Sequence, residues 1–162
     1  MNLQADEVRD ALRQVSDPEL PVSIVDLGLV EDVNVDARRI RVRLVTTFMA
    51  CPGRRQIAND VRRRIEDLLA SRAEGPVEVE VEFDPAASWG PERISDAGRA
   101  ALAGSGCGWG NRCPHCGSDL VDLESPFGSS VCSARAYCRS CRTPFELMKG
   151  TRQSLPLPAV RR

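Results

Sequence analysis

Two pairs of cysteines near the end of the chain constrain its fold more than any other feature. Cys113 and Cys116 form one C-x-x-C pair, Cys138 and Cys141 form the other, and 21 residues separate the pairs. This spacing is close to that of a zinc ribbon, in which two loops present four thiolates to one tetrahedral ion. A unit of roughly fifty residues with so few apolar side chains needs such an ion to fold. We therefore predict a structural zinc site, with iron in the same tetrathiolate cage as the alternative.

The first of these pairs also matches the active site of a dithiol oxidoreductase, because it reads Cys113-Pro-His-Cys116. A redox pair of that kind follows a strand and opens a helix, whereas Gly117 and Ser118 close this loop. We therefore reject the redox interpretation. His115 lies between two ligands, and we expect its ring to point to solvent.

The overall composition is that of an ordinary globular protein. The chain has 162 residues, of which 42% are hydrophobic and 28% charged, and its formal net charge is -1. No apolar run approaches the ~18 residues needed to span a bilayer, and the first ten residues carry acids where a secretory signal would be basic and then apolar. We expect a cytoplasmic protein without membrane contact. Seven cysteines in a reducing compartment favour metal or thiolate chemistry over disulfides.

A glycine-rich stretch at 103–111 divides the chain, since six of the seven cysteines follow its start. We predict four segments: an α/β domain at 1–103, a linker at 104–112, a zinc ribbon at 113–149 and a disordered tail at 150–162.

The first unit shows both helical and strand periodicity. Apolar residues at helical spacing predict helices over 5–15, 57–69 and 95–103, and alternation predicts strands at 29–35, 40–44 and 77–83. The first two strands form a hairpin, and the third should lie parallel to one of them because a helix intervenes. We predict an α+β fold, a small mixed three-stranded sheet with packed helices, followed by the small zinc-ribbon domain.

Cys51 stands at the junction between the second strand and the long helix. Pro52 is favoured at the first helical position, which would place the sulfur beside unpaired N–H groups and lower the thiol pKa. The alternative is a buried small hydrophobe. Polar side chains in neighbouring loops favour a role in handling iron or a cluster, although local turn and cap chemistry would also explain them. These residues are Asp17, Glu19, Asp26 and Thr47.

Two cysteines remain outside these groups. Cys132 is either a packed core thiol or an additional cluster ligand with Cys51, and Cys107 is expected to be free. Four arginines near the ribbon loops raise nucleic-acid binding as a rival function: Arg112, Arg135, Arg139 and Arg142. A tetrathiolate zinc centre carries about two negative charges, which nearby arginines offset. With few aromatic residues and no basic stripe, we expect no nucleic-acid partner.

Several strings carry a family resemblance. DPELPVSIVDLGLV at 17–30, TTFMACP at 46–52 and FDP at 83–85 resemble the iron–sulfur assembly domain of SufT-like proteins. CPHCG at 113–117, SPFGSSVC at 125–132 and CRSC at 138–141 extend it, so that 5–149 is similar to the PaaD family, the accessory proteins of bacterial phenylacetyl-CoA epoxidase.

The resemblance implies a factor that helps to mature or insert the iron–sulfur centre of a multicomponent oxygenase, with Cys51 as the reactive cysteine. The expected cargo is a transient iron ion or iron–sulfur cluster, and the expected partners are oxygenase and reductase subunits or the iron–sulfur assembly machinery. A homodimer would let two thiolates share one cluster. A structural adaptor of the oxygenase complex is the alternative. We expect no enzyme, because the sequence has neither a phosphate loop nor a nucleophile elbow.

Overall fold

A computed structural model describes residues 3–47, 51–72 and 75–149 of the chain. The predicted tail at 150–162 lies outside the described residues. Within these ranges the chain forms three α-helices, α1 (Ala5–Ala11), α2 (Arg54–Ser71) and α3 (Asp96–Gly104). The strands are β1 (Val30–Asp36), β2 (Arg39–Leu44), β3 (Glu78–Phe83), β4 (Cys107–Gly108), β5 (Val121–Ser125), β6 (Ser133–Cys138) and β7 (Pro144–Met148). Short 3₁₀ turns follow α1 at Leu12–Gln14 and precede α3 at Pro91–Arg93.

The first sheet has the strand order β1-β2-β3. β1 and β2 form an antiparallel hairpin, and β3 pairs parallel to β2 after the chain has crossed over through α2. Along the β2–β3 pair Arg39 lies opposite Glu78 and Arg41 opposite Glu80, and these side chains form ion pairs. The alternation of charged and apolar residues thus places a ladder of opposite charges on one face and the core on the other. The predicted α+β class and mixed sheet are confirmed.

One apolar core joins the helices to this sheet. Its fully buried members include Leu12 after α1, Ile40 and Leu44 on β2, and Ile57 and Ile65 on α2. These positions are the apolar ones of the helical and strand periods, so burial of the patterned faces drives the fold. Among the described residues, no helix combines the length and the apolar character that crossing a bilayer requires.

The start of α2 differs from the prediction. We expected Pro52 at the first helical position, but α2 begins at Arg54 with Gly53 as its N-cap residue, and Pro52 lies in the preceding turn. Gly53 lies close to the loop at Pro18, because a Cβ atom on Gly53 would be 2.8 Å from Pro18 Cγ. The turn that carries Cys51 is therefore packed against the loop that carries Asp17 and Glu19.

The second sheet has the order β4-β7-β6-β5 and forms the ribbon. Its first strand, β4, lies inside the segment 104–112 that we predicted as a linker and pairs parallel to β7. Gly108 serves close packing there, since a Cβ atom would lie 2.8 Å from Phe145 Cε2. Cys107 and Met148 also belong to the core of the first unit. The ribbon is thus docked on the α/β unit through β4 and the end of β7.

Candidate functional site

The four ribbon cysteines converge on one point. The sulfur atoms of Cys113, Cys116, Cys138 and Cys141 all lie within 4.8 Å of one another. Cys113 Sγ is 3.7 Å from Cys141 Sγ, and Cys116 Sγ is 3.6 Å from Cys138 Sγ. A tetrahedral zinc ion with Zn–S bonds of about 2.3 Å requires sulfur atoms about 3.8 Å apart. The donor set and its spacing therefore fit one zinc ion, as predicted.

The two loops that present these sulfurs have the same backbone hydrogen bonds. In the first, Gly117 N–H donates to Cys113 O and Cys113 N–H to Ser118 O; in the second, Arg142 N–H donates to Cys138 O and Cys138 N–H to Thr143 O. Gly117 and Arg142 both adopt a positive φ, 73° and 59°. Each loop is therefore a metal-binding turn that closes on itself, which agrees with our rejection of the redox interpretation. His115 is exposed, as expected, and its ring lies 6.5 Å from that of Phe145.

The second cluster lies where the ribbon meets the α/β unit and contains Cys51, Cys132 and Thr47. Cys51 and Cys132 are in side-chain hydrogen-bond contact, although 81 positions separate them in the sequence. The Thr47 hydroxyl, which is almost fully buried, hydrogen-bonds the Cys132 sulfur. Cys51 is half-buried and Cys132 is buried. A thiol of the first unit thus meets a thiol of the ribbon.

The contact between the two cysteines changes how they ionise. The hydrogen bond from Cys132 lowers the pKa of the Cys51 thiol from 9.0 to about 7; burial raises this pKa, and a hydrogen bond from Gly53 N–H lowers it. The same contact and burial raise the pKa of Cys132. Near neutral pH the pair therefore begins to lose its first proton, which leaves from Cys51, while Cys132 stays protonated and donates to the Cys51 sulfur.

Two of the predicted carboxylates lie near enough to this pair to act on its charge. Asp17 and Glu19 both act on the charge of Cys51 and raise its pKa. Asp17 is held by its own turn, because its Oδ1 accepts the N–H groups of Glu19 at 2.9 Å and Leu20 at 3.1 Å. Burial is the main cause that raises the pKa of Asp17 above its ordinary value. The structure thus brings together four of the five residues predicted to handle iron or a cluster, namely Cys51, Asp17, Glu19 and Thr47.

Asp26, the fifth, makes its contacts elsewhere. Its carboxylate accepts hydrogen bonds from Ser95 Oγ at 2.7 Å, Ser23 Oγ at 2.8 Å and Arg13 Nη1 at 3.0 Å. Burial raises the pKa of Asp26, but these three donors outweigh it, and the pKa is lowered overall. Its backbone oxygen also accepts Ser95 N–H. Asp26 therefore ties the segment before β1 to the start of α3.

We expect Asp26→Ala to lower the free energy of unfolding by about 2–3 kcal/mol, because three donors lose a charged acceptor. Chemical denaturation followed by circular dichroism measures this loss.

Asp10→Ala is the matched control, since Asp10 is exposed and meets Arg13 only at 3.5 Å. This variant should change the free energy of unfolding by less than about 0.5 kcal/mol. Iron binding by the Asp26 variant should equal that of the wild type. A loss of iron binding without a loss of stability would show that Asp26 takes part in binding iron.

Comparison with known proteins agrees with both halves of this architecture. Residues 5–83 match the family model of iron–sulfur cluster assembly proteins, and residues 98–149 match the PaaD zinc beta ribbon domain. A protein of Escherichia coli (strain K12), named as one subunit of a "Putative 1,2-phenylacetyl-CoA epoxidase", is 32% identical over 157 residues, which cover 90% of this chain and 93% of that protein. The chain belongs to the PaaD family of iron–sulfur cluster assembly proteins.

Other relatives match the α/β unit without the whole of the ribbon, since each covers 60% of this chain. The Fe-S protein maturation auxiliary factor YitW of Bacillus subtilis (strain 168) is 34% identical over 98 residues, which cover 60% of this chain and 91% of that protein. A crystal structure of a DUF59 domain from Bacillus anthracis superposes with a TM-score of 0.53 at 33% identity and covers 60% of this chain and 90% of that one. These relatives support a role in iron–sulfur assembly for this PaaD-family chain.

The lowered pKa of Cys51 predicts selective alkylation. At pH 7 about half of Cys51 should be thiolate, against about 1% for a thiol with a pKa of 9.0. The rate of reaction with iodoacetamide should therefore rise with pH up to about 7 and level off above it, because the thiolate is the nucleophile. Peptide mass spectrometry of the zinc-loaded protein measures the rate at Cys51.

Two variants test the cause of this shift. Cys132→Ala removes the hydrogen-bond donor and should move the midpoint of the Cys51 profile upward, because the largest cause of the lowered pKa is lost. Cys107→Ala, at a buried cysteine in the apolar core, should leave the profile unchanged. An unchanged midpoint in Cys132→Ala would mean that the ribbon thiol does not set the ionisation of Cys51.

The sequence allows Cys132 to be either a packed core thiol or an additional ligand with Cys51. The structure places its sulfur beside Cys51. The local string around Cys132 contains no second ligand at metal-binding spacing, so spacing alone offered no signal. Only the docking of the ribbon brings Cys132 to Cys51.

Proposed function

We propose that this protein is an accessory factor that holds iron or an iron–sulfur cluster transiently through Cys51 and delivers it to a multicomponent oxygenase. The proposed system is phenylacetyl-CoA epoxidase, and the proposed client is the iron–sulfur centre of its reductase component. The protein binds and delivers its cargo and catalyses no reaction of its own. The E. coli relative, whose name places it in an epoxidase, supports the choice of system.

The observation that carries the proposal is the state of Cys51. Its thiol is half-buried, is ionised more readily than an ordinary cysteine, and lies in a turn between two packed units. Thiolates bind soft metals and iron–sulfur clusters. Partial exposure permits transfer, because a client thiolate must reach the cargo to exchange for Cys51.

The test uses the client. The oxygenase and reductase subunits are expressed together with wild-type protein, with Cys51→Ser or with Cys107→Ser, in a host without its own copy. Iron and sulfide per reductase are then measured. We expect Cys51→Ser to lower the cluster content of the reductase several-fold while the zinc content of the variant stays at one per chain. The proposal is wrong if Cys51→Ser and Cys107→Ser both support full cluster content.

A structural adaptor remains the second candidate, because the ribbon exposes large apolar side chains. The exposed fractions are 78% for Phe127, 50% for Leu120 and 47% for Val131. Such residues suit a protein–protein contact. Under this candidate function Cys51→Ser would be silent, and the protein would co-purify with the oxygenase subunits at a fixed stoichiometry.

A further inference from the structure

Cys132 has a setting unlike that of the other buried cysteine outside the quartet. Cys107 packs in the apolar core of the α/β unit, and burial raises its pKa to about 11. Among the described residues, Cys132 belongs to neither apolar core, although only 6% of its surface is exposed. Its sulfur contacts polar atoms, namely the Thr47 hydroxyl and the Cys51 sulfur. Packing of a small hydrophobe does not explain these contacts.

The loop before β6 fixes the position of Cys132. Cys132 N–H donates to Ser130 Oγ at 3.2 Å, and Cys132 O accepts Lys149 N–H at 2.9 Å. Ser133 N–H closes the turn onto Ser130 O at 3.2 Å. Gly128 packs so closely on Ser133 that a side chain would not fit. Gly128 and Ser130 before Cys132 and Ser133 after it thus hold its thiol against the α/β unit.

The charges around the thiol pair favour a cation. Asp17 and Glu19 act on Cys51, and Glu19 also acts on Cys132. Two thiols with two neighbouring carboxylates make a locally negative site, which attracts a metal ion and opposes an anionic ligand. Thiolates select soft or borderline ions among the available metals.

We propose that Cys51 and Cys132 form a two-thiolate site for iron, in which the ribbon supplies the second protein ligand. This inference rests on the proposed function and names the second ligand of the same site. One chain would then hold its cargo with two of its own sulfurs, so that no second copy is needed to share it. The ribbon therefore has a role beyond the zinc ion that folds it.

Binding of a ferrous ion to this site is a proton exchange without redox change. The ion forms two Fe–S bonds, the protons of the shared thiol pair leave to water, and iron stays ferrous. The remaining coordination positions stay open to water or to a thiolate of the client. The client can thus bind before Cys51 and Cys132 release the ion.

The test is anaerobic titration of the zinc-loaded full chain with ferrous iron alone, with bound iron measured by equilibrium dialysis. We expect Cys51→Ser and Cys132→Ser each to weaken iron binding by at least about 100-fold, more than loss of a supporting hydrogen bond costs a metal site. Cys107→Ser should bind iron like the wild type. One zinc per chain and a single cooperative thermal transition show that each variant is folded.

Comparison of Cys132→Ser with Cys132→Ala separates ligation from hydrogen bonding. A serine hydroxyl still donates to Cys51 but is a poor ligand for iron, so both variants should lose binding. If Cys132→Ser binds iron like the wild type, Cys132 only positions Cys51 and the inference is wrong, while the proposed function stands. If Cys51→Ser also binds like the wild type, the inference and the proposed function both fail.

A second measurement uses the wild-type protein, so its result does not depend on whether a variant folds. Phenylarsine oxide joins two adjacent thiols, forming two As–S bonds and releasing one water. We expect one arsenic per wild-type chain with the zinc retained, and none in Cys51→Ser. Failure of the zinc-loaded wild type to bind the arsenical would show that the two thiols cannot share an ion and would overturn the inference.

Discussion

Removal of zinc from the ribbon is expected to unfold β5 and β6 and to separate Cys132 from Cys51. The ribbon's own apolar core is small, and two of its five buried members are zinc ligands: Cys113, Ala136, Cys138, Phe145 and Leu147. Structural zinc ions contribute an apparent ~10–16 kcal/mol to the folding of small domains at pH 7. A core of this size cannot replace that contribution.

Amide hydrogen exchange measures this effect. In the zinc-free protein we expect the amides of β5 and β6 to lose nearly all protection, while α2 and the first sheet keep theirs because their core does not contain the quartet. The end of β7 should lose less than β6, because Met148 packs in the core of the α/β unit. The alkylation midpoint of Cys51 should rise as it does in Cys132→Ala.

Re-addition of zinc is the control and should restore both the protection and the low midpoint. Cys116→Ser should reproduce the zinc-free state at ordinary zinc concentrations. If the amides of β6 stay protected without zinc, the quartet does not fold the ribbon. If they lose protection but the Cys51 midpoint stays near 7, the ribbon does not control Cys51.

The fold could be predicted where the sequence repeats a local period. The alternation at 77–83 and the helical spacing at 57–69 place apolar side chains on one face, and the structure packs those faces of β3 and α2 on the core. The quartet could be predicted because each pair lies within a four-residue turn. The close packing of Gly53 on Pro18 at the start of α2 could not, because these residues are distant in sequence.

The site could be predicted only in part for the same reason. A cysteine before a helix, with carboxylates and a hydroxyl in neighbouring loops, indicated Cys51, Asp17, Glu19 and Thr47. Asp26 has the same residue type and a similar loop position as Asp17, but Ser95 and Ser23 occupy its oxygens. Cys132 required the docking of the two units, which no local pattern encodes.

Trp89 is the clearest core residue outside every predicted element. It lies between β3 and the turn before α3 and is fully buried. Its Nε1–H donates to Leu27 O at 2.7 Å. A single tryptophan in a connecting segment belongs to no period, so its burial has no signature in the sequence. The indole thus fixes the segment that precedes β1. The same segment is joined to the loop of Asp17, because Asp17 N–H donates to Val22 O.

We expect Trp89→Ala to lower the free energy of unfolding by about 3–5 kcal/mol, because it leaves a large cavity in the core. Trp89→Phe should cost about 1–3 kcal/mol, because Leu27 O loses the indole donor while most of the apolar volume remains. Urea denaturation of the zinc-loaded protein, followed by circular dichroism, measures both losses.

Trp109→Phe is the matched control, since Trp109 is only partly buried and should be less costly to replace than Trp89. The position of Trp89 also predicts an effect on the thiol site. The loss of its bond to Leu27 loosens the segment that holds Asp17, so amide exchange of Asp17 and Val22 should speed up in Trp89→Phe before the helix α2 is affected. Equal losses of stability at Trp89 and Trp109 would show that the indole is not the anchor of this segment.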